Sequence, residues 1–250
     1  MNEALIKYLL SLGDTSLILG QRLGEWCGHG PVLEQDIAMT NISLDYIGRA
    51  RLLYQYVCEL RNDGQNEDQI AFMREEEDYL NLLLAEYPNK DFAYTIARQF
   101  FLDSFFVPLF EKLSSSSDEK LSQIAAKSLK ESHYHYRWSS EWMVRLGDGT
   151  EESNRRIQET VQHLWEYTGE MFQYAPYEND LTQQSLIPAA EILKQAWDFH
   201  IQQVLSEARI NRPSDGWWQT GGKTGRHTEH LGYILSDMQY MQRVHPGLDW

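Results

Sequence analysis

The sequence predicts an all-α protein, and three observations carry that expectation. Apolar residues recur at three- and four-residue intervals through most of the 250 residues, as in helices with a buried face. No alternating stretch of useful strand length interrupts them. Four acidic residues, Asp14, Asp45, Asp103 and Glu131, fall in the middle of long helical patterns, on stripes shared with small or apolar neighbours.

The first helix is expected over about Glu3–Trp26. Leu5, Leu9, Leu12, Ser16, Leu19 and Leu23 form one stripe, and Leu10, Asp14, Leu17, Gln21 and Glu25 a second, so two faces are partly buried. Gly13, Gly20 and Gly24 each weaken helix propensity, which implies a neighbour approaching closely over small residues. Gly28 to Pro31 ends the element. The second helix spans roughly Leu33–Leu60, with Asp45 and Gly48 on a stripe with Ala38, Asn41 and Leu52. After a polar turn at Arg61 to Gln65, a third helix is expected from Glu67 to Glu86, closed by Tyr87-Pro88-Asn89. The fourth, Phe92–Leu113, carries Asp103 in line with Ile96, Gln99, Phe106 and Phe110, and its aromatic density implies deep burial. Ser114 to Ser117 reads as a loop, and Ser116 with Glu119 has the form of a capping box opening the fifth helix. That helix runs to about Leu146 and stops at Gly147-Asp148-Gly149. Glu131 shares its stripe with Ile124, Ser128, His135, Trp138 and Trp142, and so faces inward. A sixth helix is expected over Glu151–Phe172, capped by Thr150, and a seventh from Pro188 to Ala208. An irregular segment from Asn211 to Arg226 precedes a last helix over Thr228–Gln242. Nothing has the composition of a linker, so one domain over residues 1–250 is expected.

Composition narrows the function classes. A formal net charge of −15, with pI near 4.9, argues against a phosphate-backbone partner, because nucleic-acid affinity comes from Lys and Arg neutralising phosphates. It disfavours an anionic membrane surface for the same reason. The N-terminal residues Met1 to Lys7 do not form a secretory signal, and no apolar run reaches membrane-spanning length. Only two cysteines occur, Cys27 and Cys58, without metal-site spacing; a reducing cytoplasm and burial as small hydrophobes are the expectations.

The acidic set carries the functional argument. Asp14 and Asp45 are 31 residues apart, Asp103 and Glu131 28, enough in each case to leave one long helix, turn, and return at similar depth on an antiparallel neighbour. Two such hairpins make a ferritin-like four-helix bundle with additional helices. Di-iron and di-manganese bundles of this kind take a Glu from each of two helices and Glu-x-x-His from the other two. Here the two i+3 positions read Gly48 and Tyr134, and three of the acids are the shorter Asp. His135 stands one residue further on, about 100° round the helix. The expectation is a vestigial metal site, at Asp14, Asp45, Gly48, Asp103, Glu131 and Tyr134, with no metal and no catalytic residue in this chain. Unpaired buried charge costs several kcal/mol per ion, so either Gln21, Asn41, Arg49, Gln99, Tyr134 or His135 donate to the carboxylates, with at least one basic group moved in, or some carboxylates are protonated. The rival reading is an autonomous di-iron or di-manganese carboxylate oxidase that uses His135.

Other motifs are weaker. Gly221-Gly222-Lys223-Thr224-Gly225 fails as a phosphate loop, since Trp217 stands where glycine is needed; a flexible or partner-facing loop is expected. His227 and His230 mark a helix start rather than a zinc site, and His133 and His135 point to different faces of one helix. Trp217, Trp218 and Trp250 are candidates for interface contacts, with burial under the irregular segment as the equal alternative.

Several segments then occur together in order: Arg22-Leu23-Gly24-Glu25-Trp26-Cys27-Gly28-His29, the helix of Asp45, Asn81-Leu82-Leu83-Leu84 with Pro88-Asn89, Ile96-Ala97-Arg98-Gln99, Thr220-Gly221-Gly222-Lys223 through His227 to Gly232, and Met238-Gln239-Tyr240. They resemble the structural C subunits of bacterial phenylacetyl-CoA 1,2-epoxidases, multicomponent monooxygenases of aerobic phenylacetate degradation, over essentially the whole chain. The resemblance implies a ferritin-like subunit paired with a homologous catalytic subunit, which holds the di-iron centre and epoxidises the substrate ring with O2. It further implies small bridging subunits and an NADPH-dependent reductase with flavin and iron–sulfur groups. For this chain itself the resemblance implies no cofactor. A stand-alone CoA-thioester binder is a third possibility, which the acidic balance opposes.

Overall fold

The computed structural model describes residues 3–248, so Trp250 lies outside the described residues. Within them the chain is all-α, as expected of a ferritin-like protein, with ten α-helices, four short 3-10 turns and no strand. The helices are α1 Glu3–Gly24, α2 Leu33–Arg61, α3 Glu67–Phe72, α4 Leu83–Glu86, α5 Phe92–Leu113, α6 Glu119–Gly147, α7 Glu151–Leu164, α8 Pro176–Gln183, α9 Ala190–Glu207 and α10 Glu229–Val244. The chain divides into two compact units. One joins the residues up to Tyr87 with those from Gly221 onward, and the other runs from Pro88 to Thr220.

In the first unit α1 and α2 are antiparallel, because Gly13 meets Tyr54 while Gly20 meets Ser43 and Ile47. The close approach expected over glycine is observed: a Cβ added at Gly13 would lie 2.6 Å from the Tyr54 ring, and one at Gly20 2.8 Å from Ile47. Ser43 donates its hydroxyl to the Gly20 carbonyl at 2.7 Å.

The expected third helix over Glu67–Glu86 is broken. α3 stops after Phe72, a 3-10 turn occupies Glu76–Asp78, and α4 is a single turn. Tertiary capture overrides helix propensity here. Arg74 turns its Nε back onto the Ile70 carbonyl at 2.7 Å, while the N–H groups of Leu80 and Leu82 donate to Asp14 and Thr15 of α1 at 2.8 and 3.1 Å. The Gly221–Gly225 segment is likewise not a free loop. Gly222 and Lys223 are buried in a 3-10 turn, where a Cβ on Gly222 would stand 2.1 Å from the Asn81 carbonyl oxygen. The chain then enters α10 through Thr228, whose hydroxyl accepts from the His230 N–H, so the expected helix start is found.

In the second unit α5 has the expected bounds, with Asp91 as its cap. It packs antiparallel to α6: Phe92 meets Trp142 edge to face at one end, and Ser122 donates to the Ser114 carbonyl at the other. The α6 cap is Asp118, which accepts from the Leu121 N–H at 2.9 Å, and not Ser116. Ser116 instead donates to the Leu186 carbonyl. The sixth helix ends early, at Leu164, and continues as two 3-10 turns, where the Glu166 carbonyl accepts from Gln219 across the unit at 2.8 Å. α8 is an addition to the expected elements, and α9 begins two residues beyond Pro188. Phe101, Trp165, Phe172 and Trp197 form one aromatic cluster, pinned by the Trp197 indole donating to the Phe101 carbonyl at 2.9 Å.

The cysteines differ from expectation: Cys27 is exposed, because α1 ends before it, and Cys58 is half-buried. No helix among the described residues is long and apolar enough to cross a membrane.

Candidate carboxylate site

Asp14 sits at the middle of α1 with no exposed surface. A carboxylate in that position must be matched or it costs several kcal/mol, and three groups match it. The Arg74 guanidinium closes on both oxygens, one contact being the ion pair to Oδ1 and the other a 3.1 Å bond to Oδ2. The Tyr54 hydroxyl donates to Oδ1 at 2.6 Å, and the Leu80 N–H to Oδ2 at 2.8 Å. Arg74 also lies over the Tyr79 ring at 4.2 Å, a cation–π contact. Burial works against the Arg74 charge, yet Asp14 holds its pKa above the usual arginine range. Burial and the adjacent carboxylate drive the Tyr54 hydroxyl well up. Burial also pushes Tyr79 up to about 12, against the opposing Arg74 charge.

None of the six expected donors is among the partners of Asp14. Arg49 is buried, with its guanidinium 4.9 Å from the centre of the Tyr46 ring. Arg74 escaped sequence reasoning because Arg74-Glu75-Glu76-Glu77-Asp78 reads as an exposed helical surface. Its one signal was a cation at the head of an acidic run.

The other positions differ from one another. Asp103 in α5 is buried and accepts from the Ser139 hydroxyl of α6 at 2.8 Å. Asp45 and Glu131 are half-buried, so the inward placement expected of Glu131 is only partial. Gly48 offers no donor and meets nothing within 4 Å of a Cβ, Tyr134 is 39% exposed, and His135 is fully buried. Among the described residues, no three His, Cys, Asp or Glu side chains group so that they could hold a metal ion. The donor set does not fit a two-metal centre. Such a centre needs bridging carboxylates and imidazoles with free lone pairs, whereas both Asp14 oxygens already accept from a cation, a phenol and an amide.

Another buried carboxylate, which sequence reasoning did not single out, is Glu86 at the end of α4. It is met by Asn81, His227 and Thr228, while its backbone carbonyl accepts two bonds from the buried Arg22.

A family model described as phenylacetic acid catabolic protein matches residues 1–250. A curated relative, the C subunit of the 1,2-phenylacetyl-CoA epoxidase of Escherichia coli (strain K12), is 46% identical over 250 residues, covering 100% of each chain.

Proposed function

We propose, for a chain that belongs to the phenylacetic acid catabolic protein family, the role of a non-catalytic structural subunit of a phenylacetyl-CoA 1,2-epoxidase complex. It stabilises and positions a homologous di-iron catalytic subunit. The reading rests on the state of Asp14. A carboxylate at a metal-ligand position that is closed by an internal cation has no lone pair to offer a metal, so this chain's contribution lies in its surfaces. In this reading di-iron chemistry belongs to the partner, and small bridging subunits and a flavin and iron–sulfur reductase complete the complex.

One surface suits such a partner. Leu33, Ile37 and Leu44 of α2, with Val32 just before it, expose 51 to 71% of their area, on the side away from the residues that pack on α1. A helix apolar on both faces is ordinarily buried on both. Four large apolar side chains left this open are unusual unless the surface meets a partner, since functional apolar patches run to roughly 300–600 Å².

Co-expression tests the proposal. With this chain present, the catalytic subunit is expected to co-elute with it and to turn over phenylacetyl-CoA; Leu33→Asp with Leu44→Asp is expected to abolish co-elution while leaving the helicity of this chain unchanged. A catalytic subunit equally stable and active without this chain would sink the reading. So would two iron or manganese atoms per chain in the protein purified alone, lost on Asp103→Ala and Glu131→Ala, since that is the behaviour of the autonomous oxidase.

A further inference from the structure

His227 and Glu86 meet with both side chains fully buried. His227 Nδ1 lies 2.6 Å from Glu86 Oε1, and its Nε2 lies 2.8 Å from the Tyr79 carbonyl oxygen. Glu86 takes three further hydrogen bonds. Asn81 Nδ2 donates to Oε1 at 2.8 Å, while the Thr228 N–H and hydroxyl donate to Oε2 at 2.9 and 2.6 Å. Three donors besides His227, spread over both oxygens, favour the ionised carboxylate, and the hydrogen of the 2.6 Å contact is then carried on His227 Nδ1. A backbone carbonyl accepts only. Each ring nitrogen therefore requires a hydrogen, and of the three states of imidazole only the cation has two.

Of the remaining charged and titratable groups on the elements packed here, Arg22 and Lys223 are cations that oppose a further positive charge, and Glu76 favours it. Arg22 of α1 is engaged on the Glu86 carbonyl, and Glu76 lies on the 3-10 turn before Tyr79. Tyr79 is directed through its hydroxyl to the Ala71 carbonyl. Lys223 is buried in the turn before His227, Glu229 opens α10, and His230 faces the edge of Tyr87. Burial opposes the charge on His227, but the Glu86 hydrogen bond and negative charge, the Tyr79 carbonyl and Glu76 together raise its pKa.

The pair stands at the entrance to α10, and α10 reaches the carboxylate site. Gln239 donates to the Arg74 carbonyl and to the Tyr79 hydroxyl, both at 3.0 Å. Arg243 donates to the same Arg74 carbonyl at 2.8 Å and pairs with Glu75 at 3.0 Å. The backbone of the residue that neutralises Asp14 is thus held by α10.

We propose that His227 and Glu86 form a proton-operated latch: the protonated ring seats the start of α10 against residues 79–86, and loss of its proton frees α10 and its grip on Arg74. A neutral ring carries one N–H, so either the Tyr79 carbonyl loses its donor or a bare nitrogen faces a carboxylate oxygen at 2.6 Å. Both break the seat. The latch does not depend on the role proposed for the whole chain.

Imidazole nitrogen resonances of the full-length labelled protein, followed from pH 6 to 9.5, test this directly. Both His227 nitrogens are expected to be protonated at pH 7, with a midpoint above about 6.5, the ordinary histidine value. Protection factors of α10 amides, corrected for intrinsic exchange, are expected to fall at least tenfold across the same midpoint. Glu86→Gln is expected to bring the midpoint to or below the ordinary value, and His227→Gln to leave α10 weakly protected at every pH. A ring with one protonated nitrogen at pH 7 would overturn the latch. So would a titration that leaves α10 protection unchanged. Should His227→Gln not fold, the wild-type titration and Glu86→Gln still decide.

Discussion

At Asp14 one carboxylate has three donors, and the three are not of equal weight. Arg74 carries the compensating charge, so Arg74→Met leaves a buried anion unpaired and should cost about 3–5 kcal/mol in urea unfolding. Asp14→Leu combined with Arg74→Met removes both charges and should recover most of that loss, because an apolar pair of similar volume replaces a buried ion pair at little cost. Tyr54→Phe removes one hydrogen bond to a charged group and should cost about 1.5–3 kcal/mol. Equal losses from the single and the paired change would show that packing, not charge, dominates the site. The His227 charge adds a pH dependence with a definite sign. Because Glu86 raises the folded pKa against the opposing effect of burial, the stabilising contribution is complete below the unfolded value of about 6.5 and is lost as pH rises through the folded value. The stability gap between wild type and His227→Gln should therefore narrow from pH 6.5 upward, and a gap that widens would contradict it. That Asp14 faces inward was legible from the stripe it shares with Leu10 and Leu17. Its partner was not, since Arg74 lies 60 residues away in a segment whose local pattern is helical.

Among the helices, two glycines make opposite predictions. Gly13→Ala gains roughly 1 kcal/mol of helix propensity, but its Cβ would lie 2.6 Å from the ring of Tyr54, which Asp14 holds in place. A net loss of thermal stability is expected. Gly48→Ala meets nothing within 4 Å, so it should raise stability by about 0.5–1 kcal/mol; a loss there would point to a neighbour crowding α2. The caps separate in the same way. Asp118→Ala should cost about 1 kcal/mol, and Ser116→Ala, which loses only a long 3.4 Å bond from the Asp118 N–H at that terminus, should not shorten the helix by circular dichroism. The long helices were legible because their stripes persist for six or more turns. The short ones were not. The break between the Glu76–Asp78 turn and α4 is set by side chains of α1 that take the N–H groups of Leu80 and Leu82, information that no window along the 67–86 segment contains. Just beyond α7 the Glu166 carbonyl is likewise occupied by a distant residue, through the Gln219 N–H.

Over the whole molecule, a net charge of −15 coexists with the open apolar face of α2. Self-repulsion keeps the isolated chain apart at low salt, and screening shortens from about 10 Å at 0.1 M to about 3 Å at 1 M. Sedimentation velocity should therefore show weak self-association growing with salt, removed by Leu44→Glu; association unaffected by that change would place the sticky surface elsewhere. The all-α class followed from periodicity, but the return of the C-terminal segment to the unit built by the N-terminal residues did not, because composition carries no record of which distant segments meet. That return has a consequence in time. Glu86 and His227 are 141 residues apart, so at a synthesis rate of roughly 5–20 residues per second the ribosome takes on the order of 10 s to supply the second after the first. Throughout that interval α1 and α2 have emerged, Asp14 and Arg74 can already meet, and the Glu86 seat stands open. The newborn chain spends those seconds with the Glu86 seat empty, and a segment made 141 residues later is the one that shuts it.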